Sequence, residues 1–324
     1  MSGPGETSDL GPAARTSSVS VVVPVYRGSA TLRELHCRTL EQLGADNDDW
    51  ELIFVDDCSP DGSWEVIEQL HREDPGHVVA LQMSRNFGQH AALLAGVRIS
   101  TKDIVVTMDD DLQHRPSTIS TLIGALGQGN DLVYGVPEKG EHAKWRNITS
   151  RTAKWILSNT IGAEQARNSS AFRAFRRELS DGWSRVSDPY VSLDVLLSWV
   201  TTSHAAIPIP MDERAAGTSN YSFLKLMRHM LNMMTGYSTR PLRLVTLLGF
   251  LASFAGLASL FFVIGRWWMT ENATPGFAFL ASMISVFGGL QLFALGVIGE
   301  YLGRMHVRSM SKPAYNVRRS VGIV

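Results

Sequence analysis

Two runs in the last third of the chain, Leu244 to Gly265 and Phe277 to Gly299, carry no charged residue, and each exceeds the roughly 20 residues a helix needs to cross a bilayer core. They predict two transmembrane helices within 242–300. Two spans leave both flanks on one side of the membrane. Those flanks hold Arg240, Arg243, Arg304, Arg308, Lys312, Arg318 and Arg319, against Arg266 alone in the short connecting loop. Positive charge stays on the cytoplasmic side, so the segments before and after the pair, including a tail over 301–324, are expected there. Trp267 and Trp268 fall where an aromatic belt would sit. A helix pair buried in a soluble core would explain the apolarity, but not the lengths together with the basic flanks.

The remainder reads as a soluble domain. The 324 residues have a formal net charge of -1, which gives no global basic field and argues against nucleic acid as a partner. Cys37 and Cys58 are the only cysteines and stand far apart, so neither a disulfide framework nor a zinc site is indicated. Residues 1–17 are rich in Gly, Pro, Ser and Thr without an apolar run, and are expected to form a disordered tail rather than a secretory signal.

From Val19 onward, short apolar or β-branched runs alternate with helical patterns. Val19 to Tyr26, Glu51 to Val55, Val78 to Met83 and Asp103 to Met108 look like strands buried on both faces. Between them, Ala30 to Leu43, Ser63 to Arg72 and Gln89 to Ile99 repeat apolar residues at three and four, with Ser and Asp before the second as caps. Strand and helix in alternation predict a doubly wound, Rossmann-like α/β sheet of parallel strands, with ligands outside the strands' carboxyl ends. Just before the first span, over 221–241, Phe223, Leu226, Met227, Met230, Leu231 and Met234 form one stripe and Lys225, Arg228, His229 and Asn232 the other. That is the pattern of a helix lying on a membrane surface.

The strongest chemical signal is Met108-Asp109-Asp110-Asp111-Leu112-Gln113 at a strand end. Three successive carboxylates repel one another unless a hard cation relieves them. Side chains alternate along extended backbone, so Asp109 and Asp111 can share a divalent ion while Asp110 points elsewhere. A second acidic turn, Asp56-Asp57-Cys58-Ser59-Pro60-Asp61-Gly62, has ligand spacing like a calcium EF-hand but follows a strand rather than a helix. A carboxylate accepting hydrogen bonds from a nucleotide fits it better. Arginines recur in short clusters: Arg85, Arg151, Arg173 with Arg176 and Arg177, and Arg214 beside Gly217, Ser219 and Tyr221. The planar guanidinium fork suits phosphate, and Arg214 stands just before the surface helix, at the height of a lipid phosphate.

VVVPVY, VDDCSPDGS, SRNFGQHAALLAGV, TMDDDLQ, SSAFRAFRR, ERAAGTSNYSF, STRPLRL and GVIGEYLGR together resemble the polyprenyl-phosphate glycosyltransferases. These are family 2 inverting enzymes of GT-A fold, and the likeness is closest to the branch with the undecaprenyl-phosphate glucose and aminoarabinose transferases. It runs from about Ser18 to Tyr315. It implies a cytoplasmic GT-A domain over 18–220, a nucleotide-sugar donor, expected to be a UDP-sugar, a polyprenyl-phosphate acceptor and a Mg²⁺ or Mn²⁺ cofactor. By analogy it also implies a homotetramer in the inner membrane. On the donor side it implies Pro24, Tyr26, Asp56, Asp57, Arg85, Asp109, Asp110 and Gln113, with Asp109 and Asp111 on the metal and Asp111 counted as catalytic. On the acceptor side it implies Arg173, Arg176, Arg214 and Ser219.

Two departures stand out. Many relatives follow the first-strand Tyr with Asn-Glu, where this chain has Arg27-Gly28. Before Phe172-Arg173, relatives often carry Asp, and here the segment reads Asn168-Ser169-Ser170-Ala171. The next candidate for a catalytic base is Asp194, which reads equally well as a carboxylate at a helix N-terminus. A base is also dispensable, because a phosphate monoester with a second pKa of about 6 is already a nucleophile near neutrality. A processive polysaccharide synthase is disfavoured by the small number of spans and the lack of a QxxRW motif. A non-catalytic scaffold is disfavoured by the Asp109 and Asp111 pair.

Overall fold

The computed structural model describes residues 18–46, 49–138, 170–184, 186, 192–212, 239–269, 276–310 and 312–323. The expected tail over 1–17 and the surface helix, as far as 238, lie outside them, as do Arg214 and Ser219.

The four expected strands form: β1 (Val19–Val25), β2 (Trp50–Asp56), β3 (Val78–Met83) and β4 (Ile104–Thr107), mutually parallel in the order β4-β1-β2-β3. Every residue of β1 and β2 is buried, which is why these runs are apolar throughout rather than alternating. Helices α1 (Leu32–Asp46), α2 (Ser63–Glu73) and α3 (Gln89–Ile99) connect them. The start of α2 differs from expectation in detail. Its capping position is Gly62, and Asp61 instead accepts the Ser63 N–H at 3.3 Å and the Ser63 hydroxyl at 2.6 Å.

The sheet is mixed, not purely parallel. It gains β5 (Leu132–Pro137), β6 (Arg173–Arg176), β7 (His204–Ile209) and β8 (Val317–Val321), giving eight strands in the order β7-β5-β6-β4-β1-β2-β3-β8. Strand β6 runs antiparallel to both β4 and β5, and β8 runs antiparallel to β3. Among the described residues two further helices, α4 (Ile119–Leu126) and α5 (Leu193–Val200), join the layers. One core packs α1, α2 and α4 against the odd-numbered residues of β1. The other packs α3 and α5 against Val22, Ile53, Val55 and Phe175. Helix α3 comes unusually close to the sheet because Gly96 has no side chain: a Cβ there would lie 2.4 Å from Val22 Cγ1 and 3.0 Å from Val55 Cγ2. Burying Leu93 and Leu94 in that contact contributes about 1.5–3 kcal/mol each.

Helices α6 (Arg240–Met269) and α7 (Gly276–Ser309) contain the two uncharged runs. At 1.5 Å per residue they extend roughly 45–50 Å, beyond the roughly 30 Å of a hydrocarbon core. None of the residues in their apolar windows is buried, and Phe250, Phe254 and Leu292 are among the most exposed apolar side chains of the chain. The two helices meet where Gly256 faces the Phe287 ring, with a built Cβ only 3.1 Å from it. At Gly288, Gly289, Gly296 and Gly299 a Cβ would meet nothing within 4 Å among the described residues.

The segment expected to be a cytoplasmic tail is instead part of the sheet. Strand β8 pairs with the outer edge of β3, entering where β3 ends, and the Ser84 N–H donates to Asn316 O at 2.9 Å. On the far side, β7 is parallel to β5 and ends at Ile209 beside Pro137, after which Asp212 N–H donates to Gln113 O at 3.0 Å. The chain therefore leaves the sheet for the helical hairpin, and comes back from it, at the same edge: the carboxyl ends of the parallel strands.

Candidate active site

In the order β4-β1-β2, the connections run one way from β1 and the other way at β4, so a crevice opens between the carboxyl ends of β1 and β4. Pro24 widens it. The last β1–β4 pair is Val22 with Thr107, so Pro24 lies beyond the point where a β4 partner would need its missing N–H. The crevice holds a cavity of ≈ 500 Å³ lined by Pro24, Tyr26 and Gly28 from the β1 end, by Asp57 from β2, by Asn86, Gly88 and Gln89 from the start of α3, and by Asp109, Asp110 and Asp111.

Among the described residues, the non-glycine positions with positive φ are Arg27 (63°), Cys58 (58°) and Leu112 (60°), one in each loop following β1, β2 and β4. Each costs of order 1–3 kcal/mol, and such strain gathers where loops are held in place for a ligand. Cross-links hold these loops. Arg27 N–H donates to Ser59 Oγ at 3.1 Å, Gly28 N–H to Ser63 Oγ at 3.1 Å, and Ser29 N–H to Asp61 Oδ2 at 3.2 Å.

All three carboxylates of the acidic turn face the cavity, each fixed by a different element. Asp109 Oδ1 accepts from Gln89 Nε2 at 2.6 Å, Asp110 Oδ2 from the Tyr26 N–H at 3.3 Å, and Asp111 Oδ1 from the Gln113 N–H at 3.2 Å. Asp110, expected to point elsewhere, is aimed into the β1 loop, and a Cβ on Gly28 would sit 2.4 Å from its Oδ2. Burial, with the charges of Asp109 and Asp111 added, pushes Asp110 up to about 7. A cation opposite Asp109 and Asp111 would relieve that repulsion. Among the described residues no set of three His, Cys, Asp or Glu converges on a metal position. A pair of carboxylates, Asp109 and Asp111, fits a Mg²⁺-like ion completed by ligand phosphates, not a closed protein cage. Next along the chain, His114 is buried with its ring centroid 5.1 Å from that of Phe172, and burial lowers its pKa against the pull of Asp111.

Several expected contacts are corrected by this geometry. Asp56 is 0% exposed and has both oxygens engaged, by Ser59 N–H at 3.1 Å and Gln82 Nε2 at 3.3 Å; it does not line the cavity. Asp57 lines it, but its oxygens accept Phe87 N–H and Gly88 N–H, both at 2.7 Å, so it positions α3. Burial raises the pKa of both carboxyls. Arg85 stacks on Phe87, with its guanidinium carbon 4.4 Å from the ring centroid, and stays outside the cavity; its neighbours Asn86 and Gln89 line it instead. Tyr26 is 46% exposed at the mouth, with the Arg27 guanidinium 5.5 Å from its ring centroid.

Arg173 and Arg176 of FRAFRR separate. Three residues of strand carry Arg176 about 10 Å from Arg173 and onto the opposite face. Arg173 stands opposite Thr107 at the site edge, whereas Arg176 stands opposite Ile104 at the other edge, 3.9 Å from Asp131. Arg176 is thus not at the site. Arg173 is only 2% exposed and donates from Nη1 to Asp194 Oδ1 at 2.5 Å. The Tyr134 hydroxyl donates to the same oxygen at 3.5 Å, and burial followed by the Asp194 charge raises its pKa, keeping it a donor. The candidate base and a candidate phosphate ligand are therefore partners in one ion pair.

Residues 20–182 match Glycosyl transferase family 2. An undecaprenyl-phosphate 4-deoxy-4-formamido-L-arabinose transferase of Pectobacterium atrosepticum is 32% identical over 306 residues, 94% of either chain. One of Salmonella choleraesuis is 31% identical over 315 residues, 95% of either chain. Glucosyl-3-phosphoglycerate synthase of Mycobacterium tuberculosis, crystallised with Mn²⁺, UDP and glucosyl-3-phosphoglycerate, superposes with a TM-score of 0.51 at 20% identity over 69% of this chain and 80% of that one. Mannosyl-3-phosphoglycerate synthase of Rubrobacter xylanophilus gives a TM-score of 0.50 at 17% identity over 70% and 74%. With a GT-A sheet, an acidic turn at its switch point and two apolar helices, the chain belongs to glycosyl transferase family 2, among its polyprenyl-phosphate glycosyltransferases.

Proposed function

We propose that this enzyme moves one sugar from a UDP-sugar to undecaprenyl phosphate, with inversion, at the cytoplasmic face of the inner membrane. The observation that carries it is the shared edge. The acidic cavity opens at the end of the sheet where the chain departs for the apolar hairpin and returns from it. A phosphate at the bilayer surface would there face a donor held in the crevice. The names of the relatives support the acceptor, and the basic flanks Arg240, Arg243, Arg304 and Arg308 support the orientation. The resemblance also supports a homotetramer.

In this reading the base of the donor rests on Pro24 and the exposed Tyr26 ring, a flat apolar platform. Asp109 and Asp111, with Gln113 beside them, would hold Mg²⁺ or Mn²⁺ for the donor diphosphate. When bound, that ion neutralises charge developing on the departing UDP. The buried Arg173 stays paired with Asp194 at the site edge, while Arg214 and Ser219 hold the acceptor phosphate. Its oxygen bonds to the anomeric carbon from the side opposite the diphosphate as the bond to UDP breaks. The acceptor is ionised before it binds, so what the chain supplies is alignment, and alignment alone can account for much of the barrier reduction.

Membranes containing the protein, incubated with UDP-sugars and undecaprenyl phosphate, should yield a lipid heavier by one sugar in mass spectrometry. Product only with a water-soluble acceptor would overturn the assignment. Arg214→Ala should raise the KM for the lipid at least ten-fold more than the KM for the donor. Gly28→Ala should drive Asp110 off the Tyr26 amide. Losing that hydrogen bond should weaken UDP binding about five-fold, about 1 kcal/mol, in calorimetric titration; unchanged affinity would mean that Asp110 moves without consequence.

A further inference from the structure

We propose that Gln89 is a positioning residue for the metal site, orienting Asp109 so that the carboxylate meets the cation without turning. The proposal rests on Asp109 being a metal ligand.

Gln89 is the first residue of α3 and reaches across the cavity to donate from Nε2 to Asp109 Oδ1 at 2.6 Å. Its backbone is anchored twice. Asp57, at the end of β2, grips the amides of Phe87 and Gly88 just ahead of it, both at 2.7 Å. Behind it, Ala91 to Val97 are buried, and Gly96 lets α3 lie against Val22 and Val55 with no room even for a methyl group. The carboxamide therefore projects from a fixed point. A carboxylate that accepts this N–H cannot swing freely about its Cβ–Cγ bond, so its lone pairs are oriented before the ion arrives. Partners of this kind, behind the ligands themselves, commonly account for 10–100-fold in metal affinity. The contact also gives Asp57 a purpose: it connects the loop on the nucleotide side to the metal turn through α3.

The test is Mn²⁺ affinity of the full-length protein in detergent with saturating UDP, read from the free Mn²⁺ signal in electron paramagnetic resonance. Gln89→Leu, which keeps the bulk and removes the donor, should weaken Mn²⁺ about 10-fold or more. Its UDP affinity in EDTA and its melting temperature should stay as in the parent. Mn²⁺ affinity within two-fold of the parent overturns the proposal. So does a matching loss of metal-free UDP binding, because α3 itself would then have moved. Asp109→Asn separates the two levels: if it leaves Mn²⁺ binding intact, the metal assignment fails, whereas loss in Asp109→Asn alone removes only the role of Gln89.

Discussion

Asp111→Asn is expected to lower sugar transfer about 10³-fold, about 4 kcal/mol of transition-state stabilisation, while the protein still fractionates with membranes. The charge is what matters. The carboxamide oxygen can still accept the Gln113 N–H that Asp111 accepts at 3.2 Å, so the turn keeps its shape and only the counter-charge to the cation is lost. Initial rates with saturating UDP-sugar, alongside Mn²⁺ binding, provide the measurement. Turnover within ten-fold of the parent would sink the metal assignment.

The second large effect concerns folding more than chemistry. Asp194→Ala removes the counter-charge from a guanidinium that is 2% exposed, and a buried cation left alone costs about 3 kcal/mol. For a domain of this size, that should lower the melting temperature by about 6–12 °C. Replacing both partners, with Arg173→Met and Asp194→Leu, should recover most of the loss, since an apolar pair of similar volume leaves no charge unmatched. Asp194→Asn then separates holding from base catalysis. The amide oxygen can still accept from Arg173 Nη1, so a holder loses only a few-fold in turnover, whereas a general base would lose 10²-fold or more. A hundred-fold loss in Asp194→Asn at an unchanged melting temperature would restore the base reading.

Strands β1 to β4 were legible because sheet interiors covered on both faces demand unbroken apolar runs. The later strands were not, for reasons visible in each. Strand β6 is four residues bracketed by arginines and reads as a phosphate-binding cluster, although its alternation sends Arg173 and Arg176 to opposite faces. Strand β7 contains Pro208, which an edge position tolerates. Strand β8, Val-Arg-Arg-Ser-Val, has the charges that protect a sheet edge from stray pairing, and those charges are what made it look like a tail. At the site, the acidic turn could be read locally. The directions of Asp109 and Asp110 could not, because their partners come from elsewhere in the chain: Gln89 for Asp109, and the Tyr26 amide for Asp110. Gln89 and Asn86 stood in SRNFGQH all along, where the arginine drew attention to its charge.

The return of β8 to β3 has a consequence for the order in which the molecule is made. The strand that closes the sheet is synthesised after both membrane helices, and this part of the chain also ties Tyr315 to Arg98 at 3.5 Å across 217 residues of sequence. A ribosome thus delivers the crevice and its acidic turn well before the sheet can be completed. Until the segment after the hairpin has been made, β3 presents an unpaired edge, the kind of surface on which chains aggregate. The sheet is therefore completed only after both apolar helices have been made, and a chain ending before β8 would be left with a sheet one strand short.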